Sequence, residues 1–472
     1  MERIAKTMLA IALVAGTFFV VLLLVSASAE SQEPPLQGQV PIEDQESGRS
    51  LEPYSLNVTL VGRNSVMNRG MNGNLGWVDD CAYVSAYFGG THPLAGLAVV
   101  DVANPSNPEL VQIFPGTPGV RESQVEGNEE SRMVVVMPFR SNTTDIFPDD
   151  PQNGPTQFQI YDVSGDCRQP RRAGTYDFGD TITHEHRIWR DKIYAILTST
   201  LAGDPSLIVV DASDRDKPQL LTTWDLRDEE GMPESSAHDM DISPDGTRAY
   251  VNIRAPGLGN GLVILDTSEV ANWRPGMPRP TIRRVSPIVN WAPDPGGTHS
   301  AQLVKIRGRK YVLAQNEVTS TTTCPWGWAR IIDVNDERQP FQISTFRLEV
   351  TQRRHCERTL LDDATYSAHY LGVDDPEEAK LAFFTWYSSG LRVVDISDPY
   401  APKEVGYYIP GATTDTLFRA TGTALFHNNK IDHAYSFVRF HKGNIWFTSA
   451  YGGFWVVRFE QETAKPGRSA RR

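Results

Sequence analysis

Leu207-Ile-Val-Val-Asp211 decides the fold, because the same short apolar run closing on an acid recurs along the chain. Its other copies are Leu97-Ala-Val-Val-Asp101, Phe158-Gln-Ile-Tyr-Asp162, Leu262-Val-Ile-Leu-Asp266, Ala329-Arg-Ile-Ile-Asp333, Leu391-Arg-Val-Val-Asp395 and Phe454-Trp-Val-Val-Arg458, seven in all. A short apolar run of this kind reads as a β-strand. Outward from it, most copies are followed by a turn rich in Ser, Asn, Asp and Pro and then by an alternating strand, as in Asn104-Pro-Ser-Asn-Pro and Ser397-Asp-Pro-Tyr-Ala-Pro. Proline donates no hydrogen bond to a ladder, so it marks the hairpin corner and leaves the next strand at an edge. A further hairpin precedes each copy, clearest in Asp241-Ile-Ser-Pro-Asp-Gly-Thr-Arg, where Pro-Asp-Gly supplies the turn.

Four strands per repeat follow, and the Asp-to-Asp interval runs from 49 residues (162 to 211) to 67 (266 to 333). Seven repeats of this kind predict an all-β chain, a seven-bladed β-propeller of four-stranded antiparallel blades. The chain ends on a third strand, while Tyr54-Ser-Leu-Asn-Val-Thr-Leu-Val-Gly62 looks like a fourth. The N-terminal strand is therefore expected to complete the last blade and remove the open edge. The repeated motif resembles the LVIVD repeat of bacterial and archaeal surface propellers over nearly the whole mature chain. That resemblance implies fold much more than chemistry.

Compartment is written at the N-terminus. Arg3 and Lys6 precede an apolar stretch from Met8 to Val25, followed by Ser26-Ala27-Ser28-Ala29. This is the order of a secretory signal, with cleavage expected after Ala29 and an uncleaved anchor as the alternative. Residues 1–29 are read as the signal, 30–53 as a flexible linker, 54–460 as the propeller and 461–472 as a basic disordered tail. A secreted, periplasmic or cell-surface protein is expected, touching membrane only through its N-terminal segment. The four cysteines, Cys81, Cys167, Cys324 and Cys356, show no metal-type spacing, and in an oxidising compartment they are free to pair. Three pairings exist; Cys324 with Cys356 is preferred, and free thiols stay open.

A net charge of -13, from 45 basic against 58 acidic residues, repels a phosphate backbone and excludes nucleic acid as a partner. Small molecules, metal ions or protein surfaces remain, and a monomer is expected. Serine-triad hydrolysis has no Gly-x-Ser-x-Gly elbow to support it. Acidic pairs such as Asp79-Asp80 read as solvated loops, and Trp326, Trp328, Trp386, Tyr387, Tyr451 and Trp455 as packing between blades.

The informative residues are histidines. In a propeller the first strand of each blade lines the axis. Four positions before an apolar anchor on that strand stand His184 (Ile188), His238 (Ile242), His299 (Leu303), His369 (Val373) and His433 (Phe437). Five consecutive repeats thus place imidazole at one level of the channel. A period of two puts His186 on the same side as His184, one step deeper. Asn72 and Glu122 are the nearest equivalents in the two repeats without histidine, and Glu122 is the one with a ligating side chain.

Converging imidazoles without thiolates select a borderline transition metal over calcium or magnesium. The expected ligands are His184, His186, His238, His299, His369, His433 and Glu122, with Glu185, Asp239 and Asp432 near enough in sequence to hold the second ring nitrogens. The competing explanations are a structural histidine that locks each blade by hydrogen bonds, as in WD-type repeats, and a pH-sensitive ring without metal. The chain lacks the Trp-Asp dipeptide of those repeats, and its recurring Asp is better placed to cap the following turn. The histidine arc also resembles that of the selenium-binding protein and methanethiol oxidase family, seven-bladed propellers with a histidine-bound copper site. This implies a transition-metal cofactor, copper favoured and zinc the other choice, and a copper-dependent oxidoreductase acting on a small molecule. The alternative is a non-catalytic surface propeller that binds another protein or a polymer.

Overall fold

Each Leu-Val-Ile-Val-Asp run is the third strand of a four-stranded antiparallel meander. In one such group Thr183–Trp189, Lys192–Leu197, Leu207–Asp211 and Gln219–Trp224 pair in sequence order. The computed structural model describes residues 51–87, 93–117, 120–139, 155–179, 181, 183–197, 205–230, 236–255, 259–291, 296–318, 324–359, 365–413, 415–417 and 432–460. All of these fall within one compact unit, Gly38–Arg472. Residues 1–29, read as a signal, the tail 461–472 and most of the segment 30–53 lie outside the described residues. Among those residues no helix is long and apolar enough to cross a membrane.

The protein is all-β, built of antiparallel sheets of propeller type. Groups with the same order begin at Asn72, Arg121, Ser236, Gly297 and Leu371. The first two touch edgewise through the single pairing of Ala86 with Glu122. Arg439–His441, Asn444–Ser449 and Gly453–Phe459 make a three-stranded set whose outer edge is taken by Val58–Asn64 from the N-terminus. The N-terminal segment is divided at Asn57, which has φ +52°. Before it, Tyr54–Leu56 pairs with Lys403–Ile409 and adds an outer strand to the preceding group. The innermost strands of successive groups lie against one another, so their beginnings converge on one axis.

Burial follows from this layering. Third strands such as Leu207–Asp211 and Leu391–Asp395 are covered on one face by the preceding group and on the other by the following one, which is why they read as unbroken apolar runs. The recurring Asp caps the next turn. Asp101, Asp162, Asp211, Asp266, Asp333 and Asp395 each accept the backbone N–H two residues on, at 2.8–3.2 Å. Arg458 replaces Asp in the last copy, and there its guanidinium bonds Asn444 Oδ1 instead. Asp395→Ala removes one cap and should lower the unfolding free energy by about 1 kcal/mol, read from urea midpoints. An unchanged midpoint would show that this turn holds without its carboxylate.

Both pairs of cysteines are joined, Cys81 with Cys167 and Cys324 with Cys356, as preferred for the second pair. The first bridge ties the first group to the second, where the Tyr83 hydroxyl also donates to the Cys167 carbonyl at 2.7 Å.

Candidate metal centre

The innermost strands share one irregularity, and the histidines sit in it. Pairing with the second strand breaks between Thr183 and His186, between Ala237 and Asp239, and between Thr298 and Ala301. His184, His238 and His299 occupy these breaks. A β-bulge re-aims the side chain it carries, and here it turns imidazole towards the axis. The resulting rings follow one another in an arc, tilted by 42–49° from each to the next, with centroids 4.3 Å apart from His184 to His238, 4.2 Å to His299 and 4.5 Å to His369. Tyr387 then lies between His369, on which it stacks at 4.4 Å, and His433, which it meets edge-on at 5.5 Å.

Two of the expected ligands depart from the sequence reading, the first because of this bulge. His186 does not join the arc, because the break cancels the period of two. Its Nε2 faces the Val135 carbonyl of the neighbouring group at 3.2 Å, and burial holds its pKa down to about 3. Glu122 does sit in the corresponding break of its own strand, between Arg121 and Gln124. Its carboxylate is turned outward, where Oε1 accepts the Thr117 N–H at 2.9 Å and the Gln159 amide at 2.6 Å. In the first group the break falls between Asn72 and Leu75, so Gly73 rather than Asn72 stands directly after the last paired residue. A side chain there would meet the Ser123 carbonyl at 2.6 Å.

The carboxylate that does reach the arc is Glu317, at the end of Arg309–Glu317, and nothing in the histidine register pointed to it. Its backbone pairs with Gly297, two residues before His299. Oε2 lies 3.5 Å from His299 Nε2 and Oε1 lies 3.6 Å from His369 Nε2. The buried group His238, His299 and Glu317 could hold a metal ion, since one ligand atom from each lies within 4.8 Å of the others. A tetrahedral ion with bonds of about 2.0–2.1 Å separates its ligand atoms by roughly 3.4 Å, so the Glu317 to His299 spacing needs almost no adjustment. The available signal in the sequence was a charged residue ending a strand that is buried from Tyr311 onward.

The protonation states suit a cation. Burial holds His238, His299 and His369 well below the usual imidazole range, so they are neutral at physiological pH. His369 Nδ1 lies 2.5 Å from the Tyr435 carbonyl and must carry the ring proton to bond it. Its Nε2 lone pair is therefore left facing a carboxylate oxygen, an arrangement of two acceptors that a cation between them satisfies. His238 Nδ1 is buried with no hydrogen-bond partner among the described residues. Burial raises the Glu317 carboxyl, with Arg254 the main opposing influence. Arg254 Nη2 stands 3.6 Å from Glu317 Oε2, its Nε bonds the Thr298 carbonyl at 2.9 Å, and its side chain is 35% exposed.

The supporting acids divide by role. Glu185 Oε1 lies 3.1 Å from His184 Nδ1 and accepts the Tyr370 hydroxyl. Asp239 does not hold an imidazole; it is 2.8 Å from Arg187 Nη2 and accepts the Ala301 N–H at 3.2 Å. Asp432 caps backbone, accepting the N–H groups of His433, Tyr451 and Gly452 at 2.7–2.9 Å. Trp326, Trp328 and Trp386 pack in the apolar core as predicted. Tyr387 and Tyr451 instead belong to a cluster with Tyr87, Tyr370 and Tyr435 that packs against His369 and His433.

Fold and site together define a β-propeller with a buried histidine and carboxylate group on its axis. Residues 94–115 and 386–409 match the LVIVD repeat family. A search of curated proteins finds no match to the chain. Among solved structures it is similar to Kuenenia stuttgartiensis hydrazine synthase, at 10% identity, TM-score 0.46, covering 83% of this chain and 96% of that one. It is similar to the Myceliophteria thermophila Cps50 (Swd1) β-propeller domain at 8% identity and TM-score 0.47, covering 86% and 100%. It is also similar to the Pseudomonas aeruginosa periplasmic gluconolactonase PpgL at 11% identity and TM-score 0.45, covering 75% and 85%. The two disulfides and the LVIVD repeats are consistent with an extracellular protein.

Proposed function

We propose that the chain is a secreted or surface-anchored LVIVD-type propeller, its seven groups closed into a ring by Val58–Asn64, that binds a divalent transition metal on its axis. His238, His299 and Glu317 would hold the ion, with His369 as a further ligand through Nε2 and His184 and His433 at the two ends of the arc. The observation that carries this reading is the His369 Nε2 lone pair set against Glu317 Oε1 at 3.6 Å, in a buried site where His299 Nε2 approaches the other oxygen at 3.5 Å. When bound, the ion would supply Lewis acidity or an activated water. The copper expectation came from resemblance to the selenium-binding protein and methanethiol oxidase family. A carboxylate among the imidazoles suits catalytic zinc or non-haem iron equally well, so both stand beside copper.

The partly exposed Arg254 side chain beside the ligands favours a small anionic substrate, which Arg254 would orient towards the site. With a redox-active ion, copper or iron, in the site, the activity we favour is that of an oxidoreductase. The second reading, a non-catalytic surface propeller, draws on His186, whose bond to a neighbouring group is that of a structural histidine.

The test is elemental analysis of the full-length secreted protein beside His238→Ala/His299→Ala. Stoichiometric zinc, copper or iron in the wild type, lost in a variant of unchanged far-ultraviolet circular dichroism, is the expected result. No metal in either protein after incubation with each of the three ions would leave the scaffold reading standing.

A further inference from the structure

Several other features could be read as functional. At the far end of the axis a cavity of about 420 Å³ is lined by Trp77, Glu126, Arg187, Asp241, Gln302 and Phe437. Its charged groups are committed: Glu126 accepts the Ile188 N–H, Asp241 accepts those of Ile242 and Leu303, and Arg187 pairs with Asp239. The tyrosines of the arc are different, because two of them donate to acids beside the histidines. Tyr370 donates to Glu185 and Tyr387 donates to Glu317.

We propose that Tyr387 is the positioning residue of the axial metal site, its phenol holding the Glu317 carboxylate in the orientation that meets the ion together with His238 and His299. This rests on the metal reading above and adds a role to it. Tyr387 is fully buried, so its hydroxyl has no water to compete for Glu317. Its ring stacks on His369 with an interplanar angle of 29° and stands at 84° to His433, which fixes the direction of the hydroxyl.

The backbone points the same way. Tyr387 has φ +36°, a left-handed conformation that a bulky residue adopts only when its surroundings over-determine it. Here the Tyr387 carbonyl accepts the N–H of Gly390 and that of Ala434, both at 3.0 Å, and the second bond joins two neighbouring groups. Next to it the Trp386 indole donates to the Tyr366 carbonyl at 2.8 Å. A left-handed tyrosine is an unfavourable choice for a tight turn unless the side chain it aims is needed, and what this one reaches is Glu317 Oε1. Arg254 lies against Oε2 and His369 Nε2 against Oε1, so the orientation of the carboxylate decides which lone pairs are left for an ion. Tyr387 occupies Oε1 from outside and leaves the remaining lone pairs directed at the arc.

Cobalt(II) titration of the full-length protein, followed by its visible spectrum, tests this. Tyr387→Phe keeps the ring stacking and removes only the hydroxyl. It should weaken cobalt binding by about tenfold to 100-fold and shift the ligand-field bands. Tyr83→Phe, which removes a buried hydroxyl bonded to the Cys167 carbonyl far from the arc, should change neither. In the Glu317→Gln background, Tyr387→Phe should cost no further affinity. Equal affinity and identical bands in Tyr387→Phe and wild type would overturn the positioning role alone. A wild type that takes up no cobalt would overturn the metal reading with it. Should Tyr387→Phe fail to fold, the wild type still decides: cobalt should produce a tyrosine ultraviolet difference spectrum that is lost in Glu317→Gln, and its absence counts against the role.

Discussion

Arg187→Ala should destabilise the protein by about 3–5 kcal/mol, the cost of leaving a buried carboxylate without its counter-charge. Asp239 is fully buried, and its carboxyl is already raised well above the usual range by desolvation, with Arg187 the largest opposing influence. Arg187 lies 2.8 Å from Asp239 Oδ1, donates to the His186 carbonyl at 2.9 Å, and sits 4.3 Å from the centre of the Phe437 ring. Its charge also opposes the raised carboxyls of Glu126 and Asp241, at about 8 and about 6. One guanidinium thus serves three acids where the innermost strands converge.

The pH dependence of this loss has a definite sign. Removing Arg187 raises the folded-state pKa of each acid further above its unfolded value. The stability such a group contributes is present below the unfolded carboxylate range and lost as pH rises through the folded pKa. The gap between wild type and Arg187→Ala should therefore be small near pH 4 and widen towards pH 8. Guanidinium unfolding at several pH values measures it. A gap under about 1 kcal/mol at every pH would mean that water reaches Asp239 and the charge is not buried in solution.

Much of this architecture was legible in the sequence because the physics that makes it is local or periodic. A third strand covered on both faces has to be apolar along its length, so Leu207-Ile-Val-Val-Asp211 and its copies announced the repeat, and the terminal Asp announced the turn it caps. The arc was legible for a similar reason. Each histidine stands four residues before an apolar anchor, so aligning anchors aligned the rings. What the sequence hid depends on contacts between strands. The bulge at Thr183 to His186 is a two-to-one mismatch with the partner strand and leaves no periodic trace, so His186 was assigned to the wrong side. Glu122 was placed at the right level, but the Thr117 N–H and the Gln159 amide claim its carboxylate. Glu317 arrives from a second strand, and Tyr387 from the turn beyond another. Neither has a fixed spacing from the histidines they serve.

The last expectation concerns the two disulfides, which should contribute unequally. In the chain-entropy account a cross-link stabilises by shrinking the unfolded ensemble, and the gain grows with the logarithm of the loop it closes. Cys81 and Cys167 are 86 residues apart and Cys324 and Cys356 are 32 apart. The corresponding contributions are about 4.5 and about 3.5 kcal/mol. Packing widens the difference. Cys81 and Cys167 are buried in a core shared by the first two groups, with Val78, Tyr83 and Val99, whereas Cys324 is only partly buried at the edge of its cluster. Cys81→Ala/Cys167→Ala should therefore lose more stability than Cys324→Ala/Cys356→Ala, by 1 kcal/mol or slightly more on the order of these estimates. Guanidinium unfolding of the two double variants, each compared with the oxidised wild type, supplies the ranking. The reverse order would mean that the first and second groups keep each other's company in the unfolded chain, so that closing the longer loop gains little. In that case the bond between Tyr83 and the Cys167 carbonyl, rather than the cross-link, is what fixes the first group to the second.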